Sequence, residues 1–502
     1  MKKKLLLYIT TINKIALFFC GLVLTVSCND YLDKMPDNRT KLDNPDKITQ
    51  ILVSAYPYLP TNMQEMMSDN VTDYGHTVDA GGSSYQEAYL FRDISSESTD
   101  SPSEIWEQNY NAIAAANHAL EAIENYQGSE DLSAQRGEAL LCRAFAHFVL
   151  CNTFCQAYNP QSSSSDLGVP YVTEPEKTVF AEKERGTVAD VYAQIETDLE
   201  EGIPLIDDNL YTQPKYHFTK KAAYAFAAKF FLYYGKYEKS IEYANKAIGE
   251  DPTALFRNWT LYDGTASNEY ANAFCKTDEQ ANIFNVGFQS VHLRFRSYRY
   301  IHTFQLLDEV DQSKGPWGTQ LEPYSLLYQI ASRSYFQPKM TEYFMYTDVA
   351  AGIGYPYIVV VVFSTEKTII DRAEAYALSG NYEMAARDLN YFYRQAGANT
   401  SLSADDIASW YEQASPLYKK ELAPRFTLED GTQTNLVHAC LHARRIATVL
   451  EGTRLEDLKR YGIAYTHVVD GASNIEIEPY DKRLAIQLPN SVTAAGLKSN
   501  PR

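Results

Sequence analysis

Apolar residues recur every three to four positions through KKAAYAFAAKFFLYYGKYEKSIEYANKAIGEDP, Lys220 to Pro252, and this spacing predicts two helices joined by a tight turn. Tyr224 and Phe231 alternate with the small Ala227 and Ala228 on the first helix, and Gly235 supplies the turn. Tyr237 opens the second helix, which Ser240, Ala244 and Ala247 keep slim enough to nest against the first. Such a helical brick cannot bury both its faces alone. A second copy lies at Thr368 to Gly397, where Ala373, Tyr376, Gly380, Tyr382 and Ala385 fall at the spacings of Ala228, Phe231, Gly235, Tyr237 and Ser240. The two copies are 145 residues apart, not one repeat of about 34. The array is therefore expected to be interrupted by an insertion, residues 253–364, on its binding face.

A short helix is expected from Pro45 to Leu59, and residues 60–100 show no helical period and read as long loops. Ser101 as N-cap, Pro102 at the first helical position and Glu104 as capping-box partner start a helix whose apolar stripe is Trp106, Tyr110, Ile113, Ala116, Leu120 and Ile123. A longer helix follows over Leu132 to Tyr158, and Thr187 with Asp190 caps the helix of VADVYAQIETDLEEGI. In the insertion periodicity is poor, and YPYIVVVVF, residues 355–363, is its clearest strand. LVHACLHARRIATVLEGTRLEDLKRYGI predicts a long helix and a shorter one ending at Gly462, and PYDKRLAIQLPNSV predicts a short closing strand.

Composition changes the picture in four places. Lys2, Lys3 and Lys4 precede an apolar run from Ile15 to Val26 that ends at LTVSC, the pattern of a bacterial lipoprotein signal over residues 1–27 with Cys28 as the lipid-bearing first residue of the mature chain. Removing that segment takes four lysines and no acid from a chain of net charge −19, leaving −23, a surface that repels nucleic acid. Of the 7 cysteines five remain internal (Cys142, Cys151, Cys155, Cys275, Cys440), an odd number that reads as buried thiols rather than a disulfide framework. The insertion holds 22 aromatic residues in 112 positions, about a fifth, against 13% for the whole chain, so it is the candidate binding region.

The order and spacing of several segments together carry a family resemblance: CNDYLDKMPD, Trp106 to Asn117, EALLCRAFAHFVLCNTF followed by GVP, RGTVADVYAQIETDL, KKAAYAFAAKFFLYYGKY, DRAEAYALSG, ARRIATVLEGTRLEDLKRYG and DKRLAIQLP. The chain resembles the SusD/RagB family of outer-membrane nutrient-binding lipoproteins over essentially the whole mature chain. The resemblance implies a mainly α fold, with a scaffold of helical hairpins like those of tetratricopeptide repeats and an irregular inserted ligand-binding region. It implies one domain over residues 28–502, with portions at about 28–252, 253–364 and 365–502. It further implies a protein anchored on the outer face of the outer membrane that captures oligosaccharides, or less often peptides, and hands them to a SusC-like TonB-dependent transporter without covalent chemistry. The family's arginines carry over as Arg444, Arg445 and Arg454. Its flanking glutamates are here Ala443 and Ala447, so Glu451 and Asp457 are expected among the partners in a structural role.

Sugar recognition needs flat aromatic faces and hydrogen-bonding groups at the rim. The candidates are Tyr85, Tyr89 and Arg92 in the first irregular stretch, and Asn258, Trp259, Tyr262, Tyr298, Arg299, Tyr300, Trp317 and Tyr324 in the second. Other constellations look chemical and are read as structural. His147, Cys151 and Cys155 share a helix face without a fourth ligand for zinc, and HACLH has Ala439 where a zincin has its glutamate. The adjacent acids Glu200/Glu201 and Asp207/Asp208 point apart on a helix and make no glycosidase pair. No cofactor is expected beyond the lipid on Cys28, and no sequence feature indicates calcium. The competing readings are a protein-binding repeat scaffold, which would lack the aromatic insertion, and a surface glycoside hydrolase, which would turn its glycan over.

Overall fold

Thr219 and Ser364 start equivalent helices in the same way: the Thr219 hydroxyl accepts from the Ala222 N–H and the Ser364 hydroxyl from the Lys367 N–H, each satisfying a donor that a first helical turn leaves free. The computed structural model describes residues 42–176, 184–262, 265–303, 306, 314–321, 328–330, 334–336 and 338–502. The signal segment, Cys28 and Tyr324 lie outside the described residues.

Helices α1 (Pro45–Leu52), α2 (Thr61–Met66), α3 (Ser83–Tyr89), α4 (Pro102–Glu124), α5 (Ser133–Phe154) and α6 (Val188–Gly202) lead to the hairpin α7 (Lys220–Tyr233) and α8 (Tyr237–Ile248). After α9 (Ser267–Phe274) comes the second hairpin, α10 (Thr365–Leu378) and α11 (Tyr382–Gln395), then α12 (Ala404–Gln413), α13 (Thr432–Thr448), α14 (Arg454–Tyr461) and α15 (Asn490–Ala494). Strand β1 (Val71–Asp73) pairs with β3 (Tyr300–His302), β4 (Tyr328–Ile330) with β5 (Ser334–Phe336), and β8 (Tyr465–His467) with β9 (Ile475–Ile477). The largest sheet has the order β2 (Asn282–Gln289), β7 (Ile353–Ser364), β6 (Tyr343–Asp348), and all its pairs are antiparallel. Among the described residues no helix is long and apolar enough to cross a membrane.

The expected helical-hairpin scaffold is present. Gly235 and Gly380 turn the two hairpins at φ +76° and +79°, where a side chain would be strained. Inside the first, the Ser240 hydroxyl donates to the Ala228 carbonyl at 2.8 Å, and Phe231 stacks on Tyr243 with centroids 5.5 Å apart. The insertion interrupts the array in sequence but not in space, because α10 packs directly on α8. The fully buried Arg372 makes this joint: its Nη1 donates to Asn245 Oδ1 at 2.7 Å and to the Gly249 carbonyl at 2.6 Å, while its Nε donates to Asp388 Oδ2 at 2.6 Å. The end of α8 presents unpaired carbonyls and the negative end of the helix dipole, and a guanidinium answers both.

The insertion is built into the scaffold rather than looped away from it. Phe284 of β2 and Phe363 of β7 pack among Phe145 of α5, Phe226 of α7 and Phe218, with Phe218 and Phe284 4.9 Å and Phe145 and Phe363 5.7 Å apart. Several local expectations change. Residues 60–100 contain α2, β1 and α3 instead of loops alone; every residue of α2 is buried, so tertiary packing makes a helix where no amphipathic period announces one. The capping box of Thr187 and Asp190 forms reciprocally, but Glu104 turns to Gln108, whose Nε2 donates to Glu104 Oε1 at 3.2 Å. The tail forms a helical turn at Lys482–Leu484 and α15 rather than a strand, since the Ile486 N–H bonds to the Thr153 carbonyl at the end of α5.

Candidate functional site

Strand β7 carries Tyr355-Pro356-Tyr357 near its start, and the two-residue period of a strand puts both tyrosines on one face. Opposite Tyr357 in register are Gln289 on β2 and Tyr343 on β6. Gly287 leaves room for the Tyr357 ring to lie across β2: a Cβ there would meet the Tyr357 hydroxyl oxygen at 2.0 Å. Both tyrosines are half-buried, and burial pushes the Tyr357 phenol up to about 12.

These rings line a cleft of about 470 Å³ beside β2, an edge strand of its sheet. The facing wall is the outer side of α4, where Glu104, Gln108 and Asn111 follow one another at one-turn spacing. Glu104 is held above the usual carboxylate range by partial burial. The floor is Tyr56, Pro57 and Tyr58, with Tyr58 against Phe288 at 4.9 Å. Asp100 ties floor to strand, accepting from the Tyr58 hydroxyl at 2.9 Å and from the Val291 N–H at 2.8 Å, and it holds the unusual φ of +67° to do so. Burial pushes its carboxyl up to about 6. Half-buried rings opposite an amide-and-carboxylate wall can stack on the C–H face of a pyranose while its hydroxyls are bonded by that wall.

Most of the aromatic residues selected from sequence are spent on packing. Tyr89 is fully buried between Tyr300 (4.6 Å) and His467 (4.2 Å). Tyr85 is buried with its hydroxyl accepting from Asn62 Nδ2 at 3.3 Å. Trp259 and Tyr262 belong to an apolar cluster with Tyr270, Phe274, Val359 and Val361, and Trp317 is buried beside Tyr393 and His442. Free stacking faces are therefore not available on Tyr85, Tyr89, Trp259, Tyr262, Tyr300 or Trp317, whose rings are buried in contacts between elements. Arg92 and Asn258 are exposed. Tyr298 is half-buried over Gly81, and Arg299 grips Asp73 with two bonds of 2.5 Å. The structure brings Tyr85 to Tyr298 and Tyr89 to Tyr300, uniting the two irregular stretches.

In the sequence Tyr355 and Tyr357 stand out as strand residues alone. The available signal was their Tyr-x-Tyr alternation, which marks one face of a strand as aromatic. Nothing in sequence distinguishes Glu104, Gln108 and Asn111 from an ordinary solvent-facing side of a helix.

The other constellations settle structurally. His147 donates from Nδ1 to the Arg143 carbonyl (2.8 Å) and accepts at Nε2 from the Val172 N–H (3.1 Å), so both nitrogens are occupied. Among the described residues no group of three His, Cys, Asp or Glu side chains could hold a metal ion. In HACLH, His442 Nδ1 meets the Tyr411 hydroxyl at 2.7 Å, and burial pushes His438 down to about 4. Arg444 pairs with Asp371, Glu374 and Asp457, and Arg454 grips Asp69. Glu451, expected among their partners, instead pairs with Lys367 and Lys339.

Residues 30–232 match the family SusD-like_3, described as "Starch-binding associating with outer membrane". No curated protein matches the chain. Among solved structures it is similar to a SusD superfamily protein from Bacteroides thetaiotaomicron (TM-score 0.63, 18% identity, 91% of this chain and 98% of that one). It is also similar to a SusD-like carbohydrate binding protein from Bacteroides vulgatus (TM-score 0.62, 16% identity, 90% and 96%) and to a SusD superfamily protein from Bacteroides fragilis (TM-score 0.64, 17% identity, 90% and 98%).

Proposed function

We propose that the chain is a SusD-like protein that captures oligosaccharides non-covalently in the cleft between α4 and β2 and releases them intact to a SusC-like TonB-dependent transporter. The observation that carries this reading is the pair Tyr355 and Tyr357, the second laid over Gly287, in one cleft with Glu104, Gln108 and Asn111. Glu104 is the one carboxylate among the described residues lining the cleft, whereas glycoside hydrolysis uses two across the scissile bond, so capture fits better than cleavage. The description of the matching family and the carbohydrate-binding relative from Bacteroides vulgatus support the ligand class. In this reading Cys28 carries lipid, residues 29 onward tether the protein to the outer face of the outer membrane, and the exposed Arg92 and Asn258 and the half-buried Tyr298 supply outlying contacts to longer chains.

A glycan-array screen of residues 29–502, followed by calorimetry on the best oligosaccharide, tests it. Tyr355→Ala with Tyr357→Ala is expected to weaken binding about tenfold or more, or ~1.4 kcal/mol, with the melting temperature nearly unchanged. Unchanged affinity removes the cleft as the site, and appearance of shortened oligosaccharide during incubation rejects capture. Gly287→Val offers an independent check: the new side chain must displace the Tyr357 ring, so affinity should fall while both tyrosines are still present. Equal affinity in that variant would mean that the lie of the ring is irrelevant.

A further inference from the structure

Where the turn of the first helical hairpin faces the end of α10, the stack leaves a second cavity, of about 340 Å³, that shares no residue with the cleft. Tyr158, Tyr234, Tyr237 and Phe426 wall it, and Thr427 and Glu429 stand at its exposed rim. The rings are held from behind. Tyr158 stacks on Tyr192 at 4.8 Å and meets Tyr234 edge-on at 4.8 Å, and Phe426 meets Tyr461 edge-on at 5.5 Å. The cavity is thus pre-formed, and a ligand need not order it.

The hydroxyl groups distinguish this cavity from the packed tyrosines around it. Tyr233 donates to Glu456 at 2.7 Å and Tyr461 to Glu374 at 2.6 Å. The hydroxyls of Tyr158, Tyr234 and Tyr237 have no hydrogen-bond partner among the described residues. Arg460, the cation at the back, is already spent on Glu374 and Asp457. Fixed ring faces, three unspent O–H groups and no unpaired cation suit a ligand that is uncharged, has C–H faces and is rich in hydroxyls. The volume lies at the small end of the range for small-molecule pockets, about 300–1,000 Å³.

We propose that this cavity is a second carbohydrate site, on the helical scaffold, which takes a neutral mono- or disaccharide end. The proposal rests on the reading of the chain as carbohydrate-binding, but not on the cleft being the place where that happens.

The test counts sites by calorimetry on residues 29–502 with four neutral disaccharides, maltose, cellobiose, xylobiose and mannobiose. Two sites per chain are expected for at least one of them. Tyr234→Ala with Tyr237→Ala should leave one site, and so should Thr427→Trp, which blocks the mouth without removing a wall and covers the case in which the double variant fails to fold. Tyr355→Ala with Tyr357→Ala should leave the other. A single wild-type site that vanishes in the cleft variant and survives both cavity variants overturns the second site and leaves the proposed function standing. No binding of any of the four by the wild type overturns the second site, and the glycan array then decides the proposed function separately.

Discussion

Arg372→Ala is expected to destabilise the protein by about 3–5 kcal/mol, the usual effect of removing one partner of a buried ion pair. The side chain is fully buried, and so is Asp388, which it holds at 2.6 Å. Burial pushes the Asp388 carboxyl up, and without Arg372 it keeps Arg387 alone, a partner at 2.9 Å that is partly exposed. The same truncation strips donors from the Gly249 carbonyl and Asn245 Oδ1 at the end of α8. An Arg372→Lys variant keeps the charge but not the planar fork that serves three partners, so an intermediate loss is expected. Urea unfolding of the three proteins measures it. A loss below about 1 kcal/mol in the alanine variant would mean that apolar contact between α8 and α10 holds the hairpins together without the guanidinium.

The helical hairpins were legible because their code is local. Alanine, serine and aromatic residues at fixed offsets around Gly235 and Gly380 specify a turn and a crossing that need no knowledge of the rest of the chain. The strand at 355–363 was legible for the same reason, with ends at Ile353 and Ser364. What could not be read is what depends on apposition. The 145-residue offset points to an insertion, but the renewed contact between α8 and α10, in which Arg372 takes part, shows in sequence only as one arginine among many. An aromatic excess in the insertion points to rings without saying which are exposed. Trp259 and Trp317, the largest of them, are drawn inside because burying an indole returns the most free energy, while Tyr355 and Tyr357 stay half-buried, the second where Gly287 makes a shelf. The cleft joins α4 to β2 across nearly two hundred residues of sequence, a distance over which no spacing rule operates.

Glu374→Gln is expected to cost several kcal/mol at neutral pH, of the order of 3–5 for an ion pair broken in the interior, and to cost progressively less in acid. Glu374 is fully buried where α10, α13 and α14 meet. One carboxylate oxygen accepts from Arg460 and from the Tyr461 hydroxyl, both at 2.6 Å, and the other faces Arg444 at 2.5 Å. Burial alone would push this carboxyl up, but the guanidiniums of Arg444 and Arg460 outweigh it and hold it down at about 2. A carboxyl depressed in the folded state contributes stability that is present above its unfolded value near 4.5 and is lost as pH falls through about 2. Glutamine has nearly the same shape and never ionises. The gap in unfolding free energy between wild type and variant should therefore be widest near neutrality and close between pH 4.5 and pH 2. Burial, and after it the Glu374 charge, push the carboxyls of Asp371 and Asp457 up, so the glutamine variant relieves both and part of its loss at neutral pH is offset. Urea titrations of both proteins across that window decide the matter: a gap that stays constant with pH would show that Glu374 acts through shape and hydrogen bonding, and that its charge does not bind the three helices.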